Sequence, residues 1–330
     1  MNTLCISRRR LGAFASLTLA AGLALGTTTA FGQDSYPNKP VRFVNNFPAG
    51  GPSDLLARSV AAVLQDTLKQ PFVVENKAGA AGNIGAADVA KSAADGYTVL
   101  FGIDTIFTVN PHLYPTMPFK RSDFKPVVVM ASSGLLVGVN PATGIKDLAG
   151  MIQAARTKGL NFSSAGSGSP GHLAVEVIKE ATQARITHVP YRGNTPAVTA
   201  VLSGEVDGGV LATPGMLPHV QAGKITALAV TSRQRSRLAP ELPTVSEAGL
   251  KALEQEVLYL VMAPAATPDA VVQALQKHII DALKRPDLQT RMATLDLFFE
   301  GLTGAQAGQR IDALYNRYGP IVKATGMKVE

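Results

Sequence analysis

The chain has 330 residues, of which 46% are hydrophobic and 17% charged. Its 31 basic and 24 acidic residues give a net charge of +7 and form no dense block of one sign, which argues against a nucleic-acid partner. Cys5 is the only cysteine, so a disulfide within the chain and a cysteine-based metal site are excluded. A chain of about 300 residues beyond the N-terminal segment exceeds what one core usually organises, so two domains are expected.

The N-terminal segment has the order of a secretory signal peptide. Three arginines at positions 8–10 precede an uncharged run over residues 11–25, and small residues follow up to Gly32. The run is shorter than the about 20 residues that a bilayer span needs, so we predict a signal peptide over residues 1–32, cleaved after Ala30 or Gly32. The arginines also fit a twin-arginine signal, so Sec and Tat export both stay open. We therefore expect a periplasmic protein, whose charge falls from +7 to +4 when the three arginines are removed.

Short apolar runs, each followed by a turn and then usually by a helical pattern, recur along the chain. In order they are VRFVNNF (41–47), PFVVEN (71–76), YTVLFG (97–102), LNFSSA (160–165), ITHVPY (186–191), VDGGVLA (206–212) and KITALAVTS (224–232). Alternation of strand and helix at this spacing is typical of parallel sheets covered by helices. The sequence therefore predicts an α/β fold.

Two longer apolar stretches, residues 126–141 and 255–264, interrupt this alternation. We interpret them as two crossover strands that join two Rossmann-like domains. The first domain then holds residues 33–127 together with the tail, 262–330, and the second holds residues 128–261. A chain that crosses twice between domains predicts a hinge and a cleft.

Residues 166–171, GSGSPG, spell the pattern G-x-G-x-x-G between an apolar run and a helical pattern. A dinucleotide-binding loop also needs an acidic residue about 20 positions further on, which binds the ribose. The next predicted strand, RITHVPY (185–191), contains no carboxylate, so a nicotinamide cofactor is not expected. Glycines that admit close approach, placed at a helix N-terminus, still predict an anion site. A plain strand-to-helix turn with Ser169 as the N-cap stays open as the alternative.

A similar arrangement occurs earlier, in PAGGPSD (48–54), where a strand end, two glycines and a hydroxyl precede a helical pattern. Asp54 is expected in the first turn or at the N-cap of that helix. In open α/β sheets, ligands bind beyond the carboxyl ends of the strands. We therefore predict that the two glycine loops face each other across the cleft and hold the anionic group of a small molecule.

Longer motifs follow one another from Tyr36 nearly to the C-terminus. Among them are YPNKPVRFVNNFPAGGPSDLLAR, PFVVENKAGAAGNIGA, SAGSGSPGHLAVE, HVPYRGNTPAV and LPTVSEAG. Together they resemble the Bug receptors, the extracytoplasmic solute-binding proteins associated with tripartite tricarboxylate transporters. The resemblance implies a two-lobed periplasmic-binding-protein fold, type II-like, that captures a small carboxylate (a dicarboxylate, an acidic or nitrogen-bearing amino acid, or an aromatic acid). It also implies membrane transporter subunits as partners.

The resemblance assigns ligand contacts by position. They are Ala49, Gly50, Gly51 and Ser53 in the first loop, Asp104 and Thr105 after the third strand, Ser164, Ala165, Gly166, Ser167, Gly168 and Ser169 in the second loop, and Tyr191 (or its neighbour Arg192) and Thr213 in later turns.

Four positions depart from the family pattern. Asn45 and Asn46 stand where the family commonly has valine and proline, and they either add an amide donor to the cleft or bond to neighbouring backbone. Asp104 stands where a small hydroxyl residue is frequent. Its carboxylate either accepts a hydrogen bond from a nitrogen or hydroxyl group of the ligand or caps the following helix. In the first case its negative charge would repel a dianion. The family's frequent tryptophan is absent, and Tyr259 is the candidate replacement.

The residue patterns of common catalytic sites are absent from the sequence. The five histidines include no pair three or four residues apart, and neither a G-x-S-x-G motif nor a P-loop lysine motif occurs. The predicted cleft offers mainly glycine, serine and backbone amides, which suit binding rather than turnover. We therefore expect a monomeric receptor without catalytic activity, metal or cofactor. A ligand sensor for a two-component system, or a periplasmic hydrolase or dehydrogenase, is the alternative.

Overall fold

The computed structural model describes residues 36–328, so the predicted signal peptide lies outside the described residues. The strands, in chain order, are β1 Val41–Asn45, β2 Phe72–Asn76, β3 Thr98–Ile103, β4 Phe124–Ser133, β5 Leu135–Val139, β6 Leu160–Ser164, β7 Ile186–Pro190, β8 Gly208–Ala212, β9 Thr226–Val230, β10 Val257–Pro264 and β11 Phe298–Thr303. The helices are α1 Pro52–Leu68, α2 Asn83–Ala90, α3 Thr105–Thr108, α4 Asn110–Leu113, α5 Leu148–Lys158, α6 Pro170–Thr182, α7 Asn194–Ser203, α8 Thr213–Gln221, α9 Asp269–Leu283, α10 Pro286–Thr294 and α11 Gly304–Thr325. The predicted α/β class is confirmed.

The first sheet has six strands in the order β11-β4-β10-β3-β1-β2. β2, β1 and β3 run parallel, which the helices between them allow, whereas β10 pairs antiparallel with both β3 and β4. Under the parallel part, the ring of Phe43 lies 5.3 Å from that of Phe72 and 5.4 Å from that of Phe101, measured between centroids. β1 is covered on both faces, so that Arg42 alone of its five residues is not fully buried.

The second sheet has five strands in the order β7-β6-β8-β5-β9. β6 pairs parallel with β7 and with β8, and β5 runs antiparallel to β8 and β9. α7 covers one face of this sheet through Ala197 and Val201, which pack with Leu136, Leu211 and Met216 in a buried cluster. The N-terminus of α7 is thereby held near the carboxyl end of β8.

The first long apolar stretch, residues 126–141, is two strands rather than one. β4 belongs to the first sheet and β5 to the second, and the chain passes between the sheets at Gly134. The chain passes back from the second sheet to the first along the segment between β9 and β10. The two passages are hydrogen-bonded to each other, because Leu135 N donates to Thr231 Oγ1 (2.8 Å) and Thr231 Oγ1 donates to the carbonyl of Gln255 (2.8 Å). The domain boundaries drawn from the sequence stay a prediction.

Over residues 36–328, no helix combines the length and the apolar character that crossing a bilayer requires.

Candidate ligand-binding site

A cavity of about 190 Å³ lies where loops and strand ends of both sheets meet. Its walls are formed by Phe47, Pro48, Ala49, Gly51, Pro52 and Ser53 after β1, by Ala165, Pro170 and Gly171 around the second glycine loop, by residues 192–196 at the start of α7, and by Ile103, Leu135, Val210, Leu211, Ala212, Val257 and Tyr259. The first loop and the start of α7 touch here. A β-carbon added to Gly193 would stand 3.5 Å from Cγ of Pro48.

The first glycine loop presents the start of α1 to the cavity. α1 begins at Pro52, whose fixed φ and missing N–H suit a first helical position, and its N-cap is Gly51. Gly50 has a φ of +82°, and its N–H donates to Asp54 Oδ2 at 2.9 Å. Three of the four contacts predicted in this loop line the cavity, at positions 49, 51 and 53. The fourth, Gly50, is not in the cavity wall, and its N–H is bonded to Asp54.

Asp54 holds this loop in shape from within the first turn of α1, as expected. It is 3% exposed and accepts a hydrogen bond from Nε of Arg58 at 3.1 Å as well as the bond from Gly50. Burial by itself raises the pKa of Asp54, but these hydrogen bonds outweigh it and keep the pKa below its usual value of 3.8. The carboxylate is therefore ionised at neutral pH, and it accepts its hydrogen bonds from Gly50 and Arg58.

Asn45 and Asn46 lie behind the loop and outside the cavity wall. Ser53 Oγ donates to Asn45 Oδ1 at 2.6 Å, and Asn45 Nδ2 donates to the carbonyl of Phe47 at 3.1 Å. Asn46 is 1% exposed and packs against Gly82 and Gly102, where no side chain competes for its space. Asn45 thus bonds to its own neighbourhood, which was one of the two alternatives drawn from the sequence.

Most polar groups of the second glycine loop bond within the loop. Gly166 N donates to Ser164 Oγ (3.2 Å), Gly168 N donates to His172 Nδ1 (3.1 Å), and Ser169 Oγ accepts from His172 N (3.3 Å). Ser169 is therefore the N-cap of α6, as the alternative interpretation of this loop had it. Of its six predicted contacts, Ala165 alone is in the cavity wall found among residues 36–328. The other five stay predictions as ligand contacts.

Two stacked histidines support this loop. Ser164 Oγ and His188 Nε2 are 2.6 Å apart, and the ring of His188 lies parallel to that of His172. Burial lowers the pKa of His172 to about 3 and that of His188 to about 4. Both rings are neutral at pH 7, which leaves His172 Nδ1 free to accept the N–H of Gly168.

The start of α7 is a larger part of the wall than the sequence indicated. Gly193 is the N-cap, with a φ of +111°, and in the described chain no side chain caps this helix. Arg192 lines the cavity, is exposed, and has no carboxylate partner within residues 36–328. Tyr191, the neighbour given first in the prediction, donates its hydroxyl to Glu205 Oε1 at 2.7 Å. Burial and Glu205 raise its pKa to about 12.

Part of this could have been found from the sequence. RGNTPA places a glycine directly before a helical pattern that lacks a serine, threonine or aspartate at its N-cap. An uncapped helix start of that kind leaves N–H groups that need another acceptor.

Three further predicted contacts are buried outside the wall. Asp104 is 1% exposed, accepts from Leu258 N (2.8 Å) and Thr108 Oγ1 (2.9 Å), and ties the end of β3 to β10. Burial raises its pKa to about 6. Thr105 and Thr213 are buried in the first turns of α3 and α8. As ligand contacts, all three stay predictions.

Tyr259 contributes its ring to the cavity wall, where the sequence suggested an aromatic residue in place of the tryptophan. Its hydroxyl lies 3.2 Å from Ser133 Oγ, and burial raises its pKa to about 12. In the part of the chain that the structure describes, no three His, Cys, Asp or Glu side chains are grouped so that they could hold a metal ion. The cavity wall offers a ligand main-chain N–H groups, the guanidinium of Arg192 and the side chains of Asn194 and Thr195 as donors.

Comparison with known proteins gives a consistent family. The chain matches the model of the tripartite tricarboxylate transporter family receptor over residues 56–327. Protein BugT of Bordetella pertussis (strain Tohama I) is 34% identical to it over 309 residues, which cover 92% of this chain and 95% of that protein.

Two solved structures share the fold. That of R. palustris Rpa4515 with adipate is 32% identical, with a TM-score of 0.84, and covers 89% of this chain and 100% of that one. That of the periplasmic binding protein BugD is 30% identical, with a TM-score of 0.82, and covers 89% of this chain and 100% of that one. The predicted periplasmic-binding-protein fold and the resemblance to Bug receptors are confirmed. This chain belongs to the tripartite tricarboxylate transporter family of receptors.

Proposed function

We propose that this chain is a periplasmic solute-binding receptor that holds a small carboxylate in the cavity and delivers it to a transporter of the tripartite tricarboxylate type. One observation carries the proposal. The N-termini of α1 and α7, both with glycine N-caps and without a capping side chain among residues 36–328, meet at one cavity beside Arg192. The two helices follow strands of different sheets, so a ligand at this point contacts both parts of the molecule.

An anion is the ligand that this geometry favours. The N–H groups of a helix's first turn have no intrahelical acceptor, and the helix dipole adds positive potential there. A guanidinium donates two parallel N–H bonds to a carboxylate, and charge-assisted bonds of this kind are roughly twice as strong as neutral ones. The lining residues, all of them in the described chain, include no Asp or Glu that would repel the ligand. The adipate in the similar structure of Rpa4515 supports a carboxylate as the bound anion.

The cavity suits binding rather than turnover. The titratable side chains in its wall are Arg192 and Tyr259, and a phenol with a pKa of about 12 is a poor proton donor or acceptor at neutral pH. The hydroxyl of Ser53 donates to Asn45, and the imidazoles of His172 and His188 lie behind the second loop. We therefore propose that this receptor is not an enzyme.

We further propose that binding closes the cleft. The predicted domains, residues 33–127 with 262–330 and residues 128–261, would turn about the paired passages at Leu135 and Thr231. Closure would bring the start of α7 onto a carboxylate already held by α1. The joint surface of the two closed domains would then meet the membrane subunits of the transporter.

The experiment is a calorimetric and thermal-shift comparison of carboxylates with their uncharged amides. A ligand present at 100 times its Kd stabilises the folded state by about 2.7 kcal/mol, which a thermal shift detects readily. We expect binding by at least one carboxylate and none by the matching amide. Binding by neutral compounds alone would contradict the proposal.

A further inference from the structure

A large part of the cavity wall is apolar. It is formed by strand residues rather than by helix starts, namely Ile103, Leu135, Val210, Val257 and Tyr259. These residues come from β3, β5, β8 and β10, so both sheets contribute to the apolar wall. A ligand whose carboxylate lies at the helix starts must place the rest of its atoms against this wall.

Two polar groups near this wall, the carboxylate of Asp104 and the hydroxyl of Tyr259, already have protein partners. The carboxylate of Asp104, next to Ile103 in the chain, accepts from Leu258 N and Thr108 Oγ1 and is 1% exposed. The hydroxyl of Tyr259 pairs with Ser133 Oγ. Neither offers an unused group to a ligand that fills the cavity.

The cavity as a whole is lined by a single charged side chain. Of its lining residues, all within residues 36–328, Arg192 alone is ionised at neutral pH. One carboxylate therefore finds a cation beside the helix starts, and a second carboxylate or an ammonium group at the other end of the ligand would be buried against the apolar strand residues without a partner. Burial of an unpaired charge is strongly unfavourable.

The size of the cavity limits the apolar body of the ligand. A volume of about 190 Å³ is somewhat larger than the apolar cavity on the order of 150 Å³ that holds a benzene molecule in another protein. One six-membered ring, or an unbranched chain of about six carbons, fits this space.

We infer that the ligand is a monocarboxylate with an apolar body of about this size, and that the cavity discriminates against a second charged group. The inference rests on the proposed carboxylate site and narrows it to one ligand class. Tight binding then depends on burial of the apolar body against Ile103, Leu135 and Val257 in addition to the ion pair with Arg192.

Matched ligand pairs test this inference on the unaltered protein. Isothermal titration at pH 7.5 compares hexanoate with adipate and 6-aminohexanoate, and 4-methylbenzoate with terephthalate. Within each pair the carbon skeleton is similar and only the second charged group differs. In each series that binds, we expect the monocarboxylate to bind at least tenfold more tightly than its doubly charged partner.

The outcomes separate this inference from the proposed function. Equal or tighter binding of the dicarboxylate, or of the amino acid, would overturn the inference and leave the carboxylate receptor standing. The absence of binding by every carboxylate tested would overturn both.

A nearly isosteric variant tests the wall itself. Val257→Thr places a hydroxyl in the apolar wall, and Val73→Thr makes the same change at a site that is 52% exposed and outside the cavity wall. We expect Val257→Thr to weaken binding of the preferred monocarboxylate at least threefold and to narrow its preference over the dicarboxylate. Val73→Thr should change neither. An unchanged preference in Val257→Thr would overturn the inference.

Discussion

The imidazole rings of His172 and His188 stack face to face, with centroids 3.8 Å apart and planes 6° from parallel. The first ring accepts the N–H of Gly168, and the second is bonded to Ser164. Two residues that are 16 positions apart, on α6 and β7, thus fix the shape of the second glycine loop. This arrangement requires neutral rings.

The first prediction concerns acid stability. Burial lowers the pKa of His172 to about 3 and that of His188 to about 4, against about 6.5 in the unfolded chain. Between pH 4 and pH 6.5 the unfolded chain therefore binds more protons, so the free energy of unfolding falls as the pH is lowered. The slope is at most about 1.4 kcal/mol per pH unit for each ring.

The variant that checks this slope is His172→Asn, which cannot titrate and offers Oδ1 to Gly168 N. Urea unfolding between pH 4 and pH 7 should show a smaller loss of stability in the variant than in the wild type. Identical pH profiles would show that the imidazole is not held neutral by the fold.

For Asp104 we predict the opposite dependence of stability on pH. Its pKa is raised from 3.8 to about 6 by burial, so the folded chain binds more protons between these values. Its contribution to stability is complete below pH 4 and is lost as the pH rises through 6. We expect Asp104→Asn to be more stable than the wild type at pH 7, by roughly 1–2 kcal/mol, and to lose this advantage at pH 4.

The same variant tests the predicted ligand contact. Because both oxygens of Asp104 face Leu258 and Thr108, we expect Asp104→Asn to change ligand affinity less than twofold. Asp66→Asn, at a carboxyl group that is 70% exposed, is the control. A tenfold change in affinity, or in selectivity for amino acids, would restore Asp104 as a ligand contact.

Gly168, in the second glycine loop, lies close to Ala81, a residue of the first predicted domain. Its φ is +78°, and an added β-carbon would lie 2.8 Å from Cβ of Ala81, which precedes α2. We expect Gly168→Ala to weaken binding about tenfold, since the clash holds the cleft open, and to destabilise the fold by about 1 kcal/mol.

Gly223→Ala is the matched control for that variant. Gly223 also has a positive φ, +68°, but nothing lies within 4 Å of the added carbon. It should lose similar stability and keep its affinity, as measured by titration calorimetry. Equal loss of affinity in both variants would refute a specific role for the contact with Ala81.

Arg192 supplies the only cationic side chain among the lining residues, all of which are described. Arg192→Gln should weaken carboxylate binding 10- to 100-fold, in line with the loss of a charge-assisted hydrogen bond. The loss should shrink as salt is added, because the side chain is exposed. Arg291→Gln, at another exposed arginine, controls for net charge, and an equal effect there would contradict a direct contact.

The sequence was a good guide to the parts of the fold that depend on local pattern. Strand and helix alternation gave the α/β class, and the glycines before Pro52 marked a helix start that lines the cavity. At residues 126–141 the chain crosses from one sheet to the other, as the sequence predicts, but hydropathy does not show where the first strand ends, because Gly134 is the only residue between β4 and β5.

The site could be predicted only in part, because local sequence does not reveal which donors are already used. The second loop has the residues of an anion site, yet two of its amides bond to His172 and Ser164. His188, which completes that network, comes from the next strand. Conversely, Gly193 looks like an ordinary turn residue until the fold brings it to Pro48.

A crystal structure with the tightest-binding monocarboxylate tests the central claim most directly. We predict its carboxylate oxygens within hydrogen-bonding distance of main-chain N–H groups at the starts of both α1 and α7, with Arg192 beside them and the apolar body against Val257. A carboxylate bound to the amides of residues 166–169 instead, or a ligand outside this cavity, would contradict the account.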